Sequence, residues 1–479
     1  MADTIHIELP QGVDSVSRAL RGAGHDALLV GGVVRDALLG VASADFDLVT
    51  TATPADVRAL CSDLPGVRTV YELGERFGTV GVALDEGRLE VSRYRPDALE
   101  QADTSARYAV DATHRDFTVN ALALDLASNE LLDPVGGKAD LERKLLRAPV
   151  EPAERFAEDP LRVLRAARFV AELGFEIEPE TALAMQSAAS RLRDVAVERV
   201  REELGKLLVG PHAPRGLRVL LGSGALRVVL PEVAALDGVT QPTFHDLDVF
   251  AHTIMSVGLA PPTLVLRWAA LLHDVGKAPA RTVEPDGRIR FFRHAQTGAE
   301  IAEQICARLR MSSADTSAIV HLVAEHMRWG DVNLENPRSV DRAVRKLDLD
   351  VPGTNPPRKL VTAEDAVELT IADFAATAHR DETPVLRERL QDAVAESRER
   401  GTQHQVVSPI SGTELMKELA LDAGRSVGIA KDAIELAIET GELNADDREG
   451  ALRVARTALA DARDSATRSG VEIPDSSST

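Results

Sequence analysis

Asp45 and Asp47 stand two residues apart in Asp45-Phe46-Asp47-Leu48, where apolar and acidic residues alternate as in a β-strand. In an extended chain, side chains at i and i+2 share a face, so the two carboxylates project together while Phe46 and Leu48 turn inward. Paired carboxylates suit a hard divalent cation. Mg²⁺ takes oxygen ligands and keeps waters and substrate phosphates in its shell, so the pair could hold the two ions of an in-line phosphoryl displacement. Upstream, Leu28 to Val30 read as the end of an apolar strand, and Gly31 and Gly32 let backbone N–H groups approach a ligand. Val33 to Leu39 then have helical periodicity, with Arg35 in the first turn. A helix N-terminus with an arginine fork suits a polyphosphate.

Gly31-Gly32-Val33-Val34-Arg35-Asp36, followed about ten residues later by Asp45-Phe46-Asp47-Leu48-Val49-Thr50-Thr51-Ala52-Thr53-Pro54, is similar to the signature of the class II tRNA nucleotidyltransferase and bacterial poly(A) polymerase family. No Gly-Lys-Ser/Thr ending marks a P-loop, and the glycines do not match the dinucleotide fingerprint. Further segments carry the same resemblance. His114-Arg115-Asp116-Phe117-Thr118-Val119-Asn120-Ala121 resembles the second family motif, with His114 in place of the usual first arginine. The resemblance assigns Arg115 and Asp116 to the ribose hydroxyls. Glu158, Asp159 and Arg162 match Glu-Asp-x-x-Arg, which implies that Asp159 and Arg162 hydrogen-bond the incoming base. An acceptor carboxylate beside a donor guanidinium complements adenine and cytosine, which both place an amino donor next to a ring-nitrogen acceptor. Asp159 before Pro160 also reads as an N-cap with proline at the first helical position. Arg165 and Arg168 continue at intervals of three and are expected to meet phosphate or RNA backbone. Arg199, Glu203 and Lys206 match the fifth motif, which supports the neck in the family, and they share one helical face.

A different chemistry begins beyond Pro231. His252, then Leu271-Leu272-His273-Asp274-Val275-Gly276-Lys277, then His294, His326 and Asp373 resemble an HD phosphohydrolase domain. An adjacent His-Asp pair on an apolar helix is costly to bury uncompensated, and a divalent metal resolves that cost. His252, His273, Asp274 and Asp373 are the expected ligands, for Mg, Mn, Ni or a similar ion. His321 and His245 read as structural.

The elements that must position these groups follow from the rest of the chain. Pro54 to Leu64 reads as a helix, and Val67 to Tyr71, Thr79 to Leu84 and Leu89 to Arg93 as strands, the last two forming a hairpin through Asp85-Glu86-Gly87. Glu90, on the second strand of that hairpin, is the candidate third carboxylate. Leu132 to Gly137 read as a loop before a short helix. From Glu151 the texture changes to long helices. Ile410 to Met416 reads as an N-capped helix start, and Ser476 to Thr479 as a disordered end.

At 479 residues and 44% hydrophobic content, about three folded domains are expected. Only Cys61 and Cys306 occur, which argues against disulfides or a cysteine zinc site. The first residues carry no basic segment followed by an apolar run, nowhere do 18 apolar residues stand together, and the protein is expected to be cytoplasmic with no membrane partner. A net charge of −21 excludes a general nucleic-acid binder held by phosphate contacts, but not an enzyme that handles one RNA end. Of the 55 basic residues 47 are Arg, which suits bidentate contacts.

The expected fold class is α+β. A nucleotidyltransferase head with a small mixed sheet (residues 1–150) precedes an all-α neck for base recognition and RNA binding (151–235), an HD domain (240–390) and a helical tail (391–479). The resemblance implies template-independent addition of CCA to the tRNA 3′ end from CTP and ATP, with two Mg²⁺ in the head. Poly(A) polymerase and CC-only or A-only addition are alternatives within the class. Poly(A) enzymes of the family are typically basic and lack the HD module, which favours CCA addition. An HD nucleotide phosphohydrolase with a nucleotide-binding head is the alternative from another class. Oligomeric state is not legible in the chain.

Overall fold

A computed structural model describes residues 7–43, 45–72, 78–241, 247–354, 358–403, 408–421, 425–439, 442–444 and 446–469. His245 and Ser476 to Thr479 lie outside the described residues. The N-terminal part is built on a seven-stranded sheet: β1 (Leu28–Val30), β2 (Asp45–Thr50), β3 (Val67–Glu72), β4 (Thr79–Leu84), β5 (Arg88–Arg93), β6 (Ala123–Asp125) and β7 (Glu130–Leu132), in the order β3-β4-β5-β2-β1-β6-β7. β2 and β5 run parallel and every other pairing is antiparallel, so the sheet is mixed, as expected of an α+β fold.

Local chemistry sets these elements. On β2, Phe46 and Leu48 are buried while Asp45 is exposed and Asp47 half-buried, the alternation that the sequence predicts. Past Asp47 the strand is buried on both faces through Val49 and Thr50. Helix α1 (Gln11–Gly22) lays Val13, Val16 and Leu20 against the core. Helix α2 (Gly32–Leu38) starts at Gly31, whose φ of +80° favours glycine. Helix α3 (Pro54–Cys61) is stopped upstream by a capping box between Thr53 and Asp56, with Pro54 in the first turn. It ends three residues short of the expected Leu64.

After helix α4 (Thr104–Thr113), the chain turns helical with α5 (Pro152–Glu158), α6 (Arg162–Leu173), α7 (Val197–Val209) and α8 (Ala213–Gly222). Helix α6 buries Val163, Leu164, Ala167 and Val170 against α7 and α8, and ends at Gly174 with φ +70°. Four further helices, α9 (Val249–Leu259), α10 (Leu264–Leu272), α11 (His294–Arg308) and α12 (Ser313–Glu325), pack with α13 (Ala363–Ala375). Trp268 and the run Ala269 to Leu272 are almost fully buried there. Residues 1–335 and 342–391 form one compact unit; residues 336–341 and 392–479 form a second. The second unit has its own core of Ile410, Leu415, Ala430, Ile434 and Ala451, and the helix Gly412–Leu419 has the N-capped start expected there, with Ser411 and Glu414 closing a capping box.

Candidate functional site

The parallel pairing of β2 with β5 places Glu90 in direct register with Asp47, and Arg88 with Asp45, so all four side chains share one face. A Cβ built on Gly31 would lie 3.5 Å from Asp47 Oδ2 and 3.8 Å from Arg115 Nη1, so the glycine turn, the strand carboxylate and the guanidinium converge. Burial, then the neighbouring Glu90 charge, pushes the Asp47 carboxyl up to about 6. A divalent cation is the natural remedy for two carboxylates crowded in this way. Asp45 lies at the rim, its side chain 78% exposed, with Arg88 at 3.7 Å and Arg88 in turn 3.6 Å from Glu90. Gly32 faces the Arg35 guanidinium.

Several expected contacts to ligand are replaced by contacts within the protein. Arg35 is buried, donates to Asn120 Oδ1 and to Asp36 Oδ1, and lies over the Phe169 ring, so it offers no free fork to phosphate. Arg115 does not pair with Asp116; it donates to Asp111 one helical turn back. Asp116 accepts from Arg165, Asn120 and the Phe117 N–H. Burial alone would raise the Asp116 carboxyl, but the Arg165 charge and the Asn120 amide outweigh it and hold it at about 2. The expectation that Arg165 and Arg168 face RNA is corrected in the same way: Arg165 lies against Asp116 and Glu203, and Arg168 is buried against Glu203 and over Phe169. The reason is Glu203, a buried carboxylate on α7 that needs counter-charges. His114 Nδ1 accepts from Arg155, its Nε2 contacts Asp97, and its carbonyl accepts from Arg162 Nη2 at 2.7 Å.

Asp159 ends α5 and is gripped by Arg199, with Nη2 to Oδ2 at 2.7 Å. Arg162 points instead to the Arg155 and His114 carbonyls, so the two expected base readers are neighbours whose polar atoms are engaged elsewhere. Asp116→Asn is expected to weaken the junction of head and neck. The asparagine oxygen can still accept from Asn120 and the Phe117 N–H, but the partly exposed Arg165 then faces an amide NH2 in place of the carboxylate oxygen it donates to, at a cost of about 1 to 3 kcal/mol. Thermal unfolding should register this as a Tm several degrees lower, and an unchanged Tm would refute the role given to Asp116.

In the helical part, six side chains converge. His252, His273 and Asp373 form one group whose ligand atoms lie within 4.8 Å of one another; Asp274, His294 and His326 form a second. Among the described residues these are the two such groups, and the head carboxylates do not reach that spacing. His252 Nε2 is 2.8 Å from Asp373 Oδ1, and His273 Nε2 is 3.2 Å from Asp274 Oδ2. His294 Nε2 is 3.3 Å from His326 Nε2 and 3.6 Å from Asp274 Oδ1. Asp274 thus touches both groups. Each ring turns its Nδ1 outward to a backbone carbonyl: Ala376 for His252, Ala270 for His273, Phe291 for His294 and Val323 for His326. That arrangement makes Nδ1 the donor to the carbonyl and turns Nε2 inward, the atom that would ligate a metal once its proton is displaced.

Two further observations fit a cation there. His273 Nε2 and Asp274 Oδ2 are buried without hydrogen-bond geometry to any partner. Burial, then the charge of His273, holds His326 down to about 4, so it is a neutral imidazole ready to ligate. Lys277 Nζ, 2.7 Å from Asp274 Oδ2, adds a positive charge beside the site. Gly276 is required by close approach, since a Cβ there would lie 2.1 Å from the His294 carbonyl oxygen. The expected four ligands are brought together, and His294 and His326 join them. The order of these residues in the chain showed them, but spacing alone did not mark them as ligands. His321 Nε2 donates to the Leu347 carbonyl and lies outside both groups.

Fold and sites together define a nucleotidyltransferase head joined through a helical neck to an HD domain. Residues 27–147 match the poly A polymerase head domain, residues 174–236 the probable RNA and SrmB-binding site of polymerase A, and residues 251–375 the HD domain. The chain is 38% identical over 344 residues to the multifunctional CCA protein of Xanthomonas campestris, covering 69% of this chain and 81% of that one. It is 41% identical over 312 residues to the A-adding tRNA nucleotidyltransferase of Deinococcus radiodurans, covering 63% and 68%. With the CC-adding tRNA nucleotidyltransferase of Halalkalibacterium halodurans it shares 40% over 210 residues, covering 44% and 52%. The crystal structure of the Bacillus stearothermophilus CCA-adding enzyme in complex with CTP has the same fold, with a TM-score of 0.63 over 96% of this chain and 100% of that one at 24% identity. The chain belongs to the tRNA nucleotidyltransferase and poly(A) polymerase family. The nucleotidyltransferase and HD families are metal-dependent and generally use divalent ions. No helix among the described residues is long and apolar enough to cross a membrane.

Proposed function

We propose that this chain adds CMP, CMP and AMP to the 3′ end of tRNA from CTP and ATP without a template, in the cytoplasm. The observation that carries this reading is the convergence of Asp47, Glu90 and Arg115 at the Gly31 turn, in a chain whose relatives are named for adding CCA, CC or A. Two Mg²⁺ bound by Asp45 and Asp47, with Glu90 as the third carboxylate, would activate the RNA 3′-hydroxyl and steady the pyrophosphate leaving group. The chain's own contribution is positional. Gly31 and Gly32 keep the turn open to phosphates, Arg115 stands beside Asp47 with a cation for the nucleotide, and Asp159 reads the base edge together with Arg162 once the nucleotide draws that guanidinium from the Arg155 and His114 carbonyls.

The division of labour follows the four segments 1–150, 151–235, 240–390 and 391–479, with the tail supporting tRNA. The D. radiodurans relative favours a second reading, A-only addition. Incubating the full chain with tRNA lacking its last three nucleotides, or lacking only the last, with labelled CTP or ATP separates these cases. CMP incorporation on the shorter tRNA followed by AMP is the expected result. Label from ATP only on tRNA ending in CC would replace it with A-only addition, and unlimited AMP incorporation would replace it with poly(A) synthesis.

A separate activity is proposed for the HD domain: metal-dependent hydrolysis of phosphomonoesters or cyclic phosphates. The two adjoining ligand groups, with Asp274 of one against His252 and His273 of the other, support it, because such a pair can hold two divalent ions. Lys277 stands where it would meet a phosphate oxygen.

A further inference from the structure

Arg199 belongs to a helix that makes two kinds of contact, and neither was expected of a residue that supports the neck. On one side its guanidinium meets Asp159 in a two-point contact, Nη2 to Oδ2 at 2.7 Å and Nη1 to Oδ1 at 3.4 Å. The Asp159 carboxylate has one other hydrogen bond, from the Leu161 N–H to Oδ1 at 3.2 Å. Its orientation therefore depends on Arg199. Arg162, three residues on, does not contribute, because its guanidinium is held by the Arg155 and His114 carbonyls. On the other side of α7, Glu198 accepts from Arg310, and Arg201 donates to the carbonyls of Leu309 and Arg310. Arg310 has φ +51°, a left-handed conformation that a non-glycine residue adopts at a cost. The helix is thus pinned at a strained turn of the HD part while the residue between the two pins holds the carboxylate.

We propose that Arg199 is a positioning residue for base selection, which orients Asp159 toward the amino group of the incoming base from a helix anchored through Glu198 and Arg201. This rests on the reading of Asp159 as a base reader. Oδ1 accepts from both Arg199 and the Leu161 N–H, which leaves Oδ2 one lone pair for a donor on the base. Cytosine and adenine present an amino group to such an acceptor, whereas uracil presents a carbonyl that the carboxylate repels. A carboxylate free to rotate would satisfy itself with water and lose that discrimination. Arg199 does not touch the reacting atoms, so its loss acts on selection and leaves the chemical step in place.

The test measures steady-state incorporation of CTP and UTP by the full chain on tRNA lacking its terminal nucleotides, for Arg199→Ala, Arg199→Lys, Asp159→Ala and the Asp159→Ala/Arg199→Ala double variant. Arg199→Ala should raise KM for CTP and cut the preference for CTP over UTP, each about tenfold, with kcat at saturation within about twofold. Arg199→Lys should restore part of the preference, since a single ammonium keeps the charge and loses the two-point geometry. The double variant should select no worse than Asp159→Ala alone, the signature of two residues acting in one contact. If Asp159→Ala loses selection and Arg199→Ala keeps it, the positioning role is overturned and the base reader stands. If Asp159→Ala itself rejects UTP as strongly as the parent, both are overturned. Arg199→Lys serves should Arg199→Ala fail to fold: a parental KM and selectivity in that variant would also overturn the role of two-point geometry.

Discussion

Asp47→Ala is expected to reduce incorporation of CMP and AMP together, by about a thousandfold or more, because it removes an oxygen ligand from the chemical step both additions share. Asp45→Ala should act in the same direction. Loss of only one of the two activities would sink the shared site. The stability of the protein should move the other way, and that separates lost chemistry from lost folding. Burial and the Glu90 charge raise the Asp47 carboxyl to about 6 in the folded chain, above its value of about 4 when unfolded. A carboxyl raised on folding contributes stability that is complete below the unfolded value and is lost as pH rises through 6. In metal-free buffer, Asp47→Asn should therefore melt several degrees above the parent at pH 7.5 and level with it at pH 4, a gain of about 1 to 2 kcal/mol after allowance for solvent near the site. Magnesium should raise the Tm of the parent and leave the variant where it is. A variant that melts lower at pH 7.5 would refute the crowding of Asp47 and Glu90.

The second large effect is expected in the HD domain. Asp274→Ala should release the bound divalent metal and lower hydrolysis of p-nitrophenyl phosphate and of 2′,3′-cyclic nucleotides by about a hundredfold or more, because Asp274 belongs to one ligand group and contacts His252 and His273 of the other. Nucleotide addition by the same preparation should stay within about twofold, since the head carboxylates come from β2 and β5. Removing a carboxylate that is almost fully buried also strips Lys277 of its nearest acid, so Asp274→Asn provides the isosteric control. Metal content by elemental analysis and the two activities are read together. No hydrolysis by the parent under any divalent ion would reduce this domain to a scaffold.

What the amino-acid order determines by itself is local. The period-two alternation around Asp45 and Asp47 is enough to place both on one face of a strand, because side-chain direction in an extended chain depends on nothing beyond neighbours. Gly31 before a helix and Ser411 with Glu414 at another helix start are equally local, since a turn and a cap are closed within four residues. The tertiary structure decided the partners. Glu90 faces Asp47 only because β5 pairs parallel with β2, and β5 also offers its other edge to β4. Arg165 and Arg168 follow an i, i+3 spacing that reads as an exposed basic stripe, yet Glu203 from another helix and Asp116 from the head draw them inward. His294 and His326 reach Asp274 from separate helices, and their Nε2 atoms face inward because the Phe291 and Val323 carbonyls, each three residues upstream, hold the other ring nitrogens. A charged side chain several bonds long can satisfy itself in many directions at similar cost, and only the packed fold selects among them.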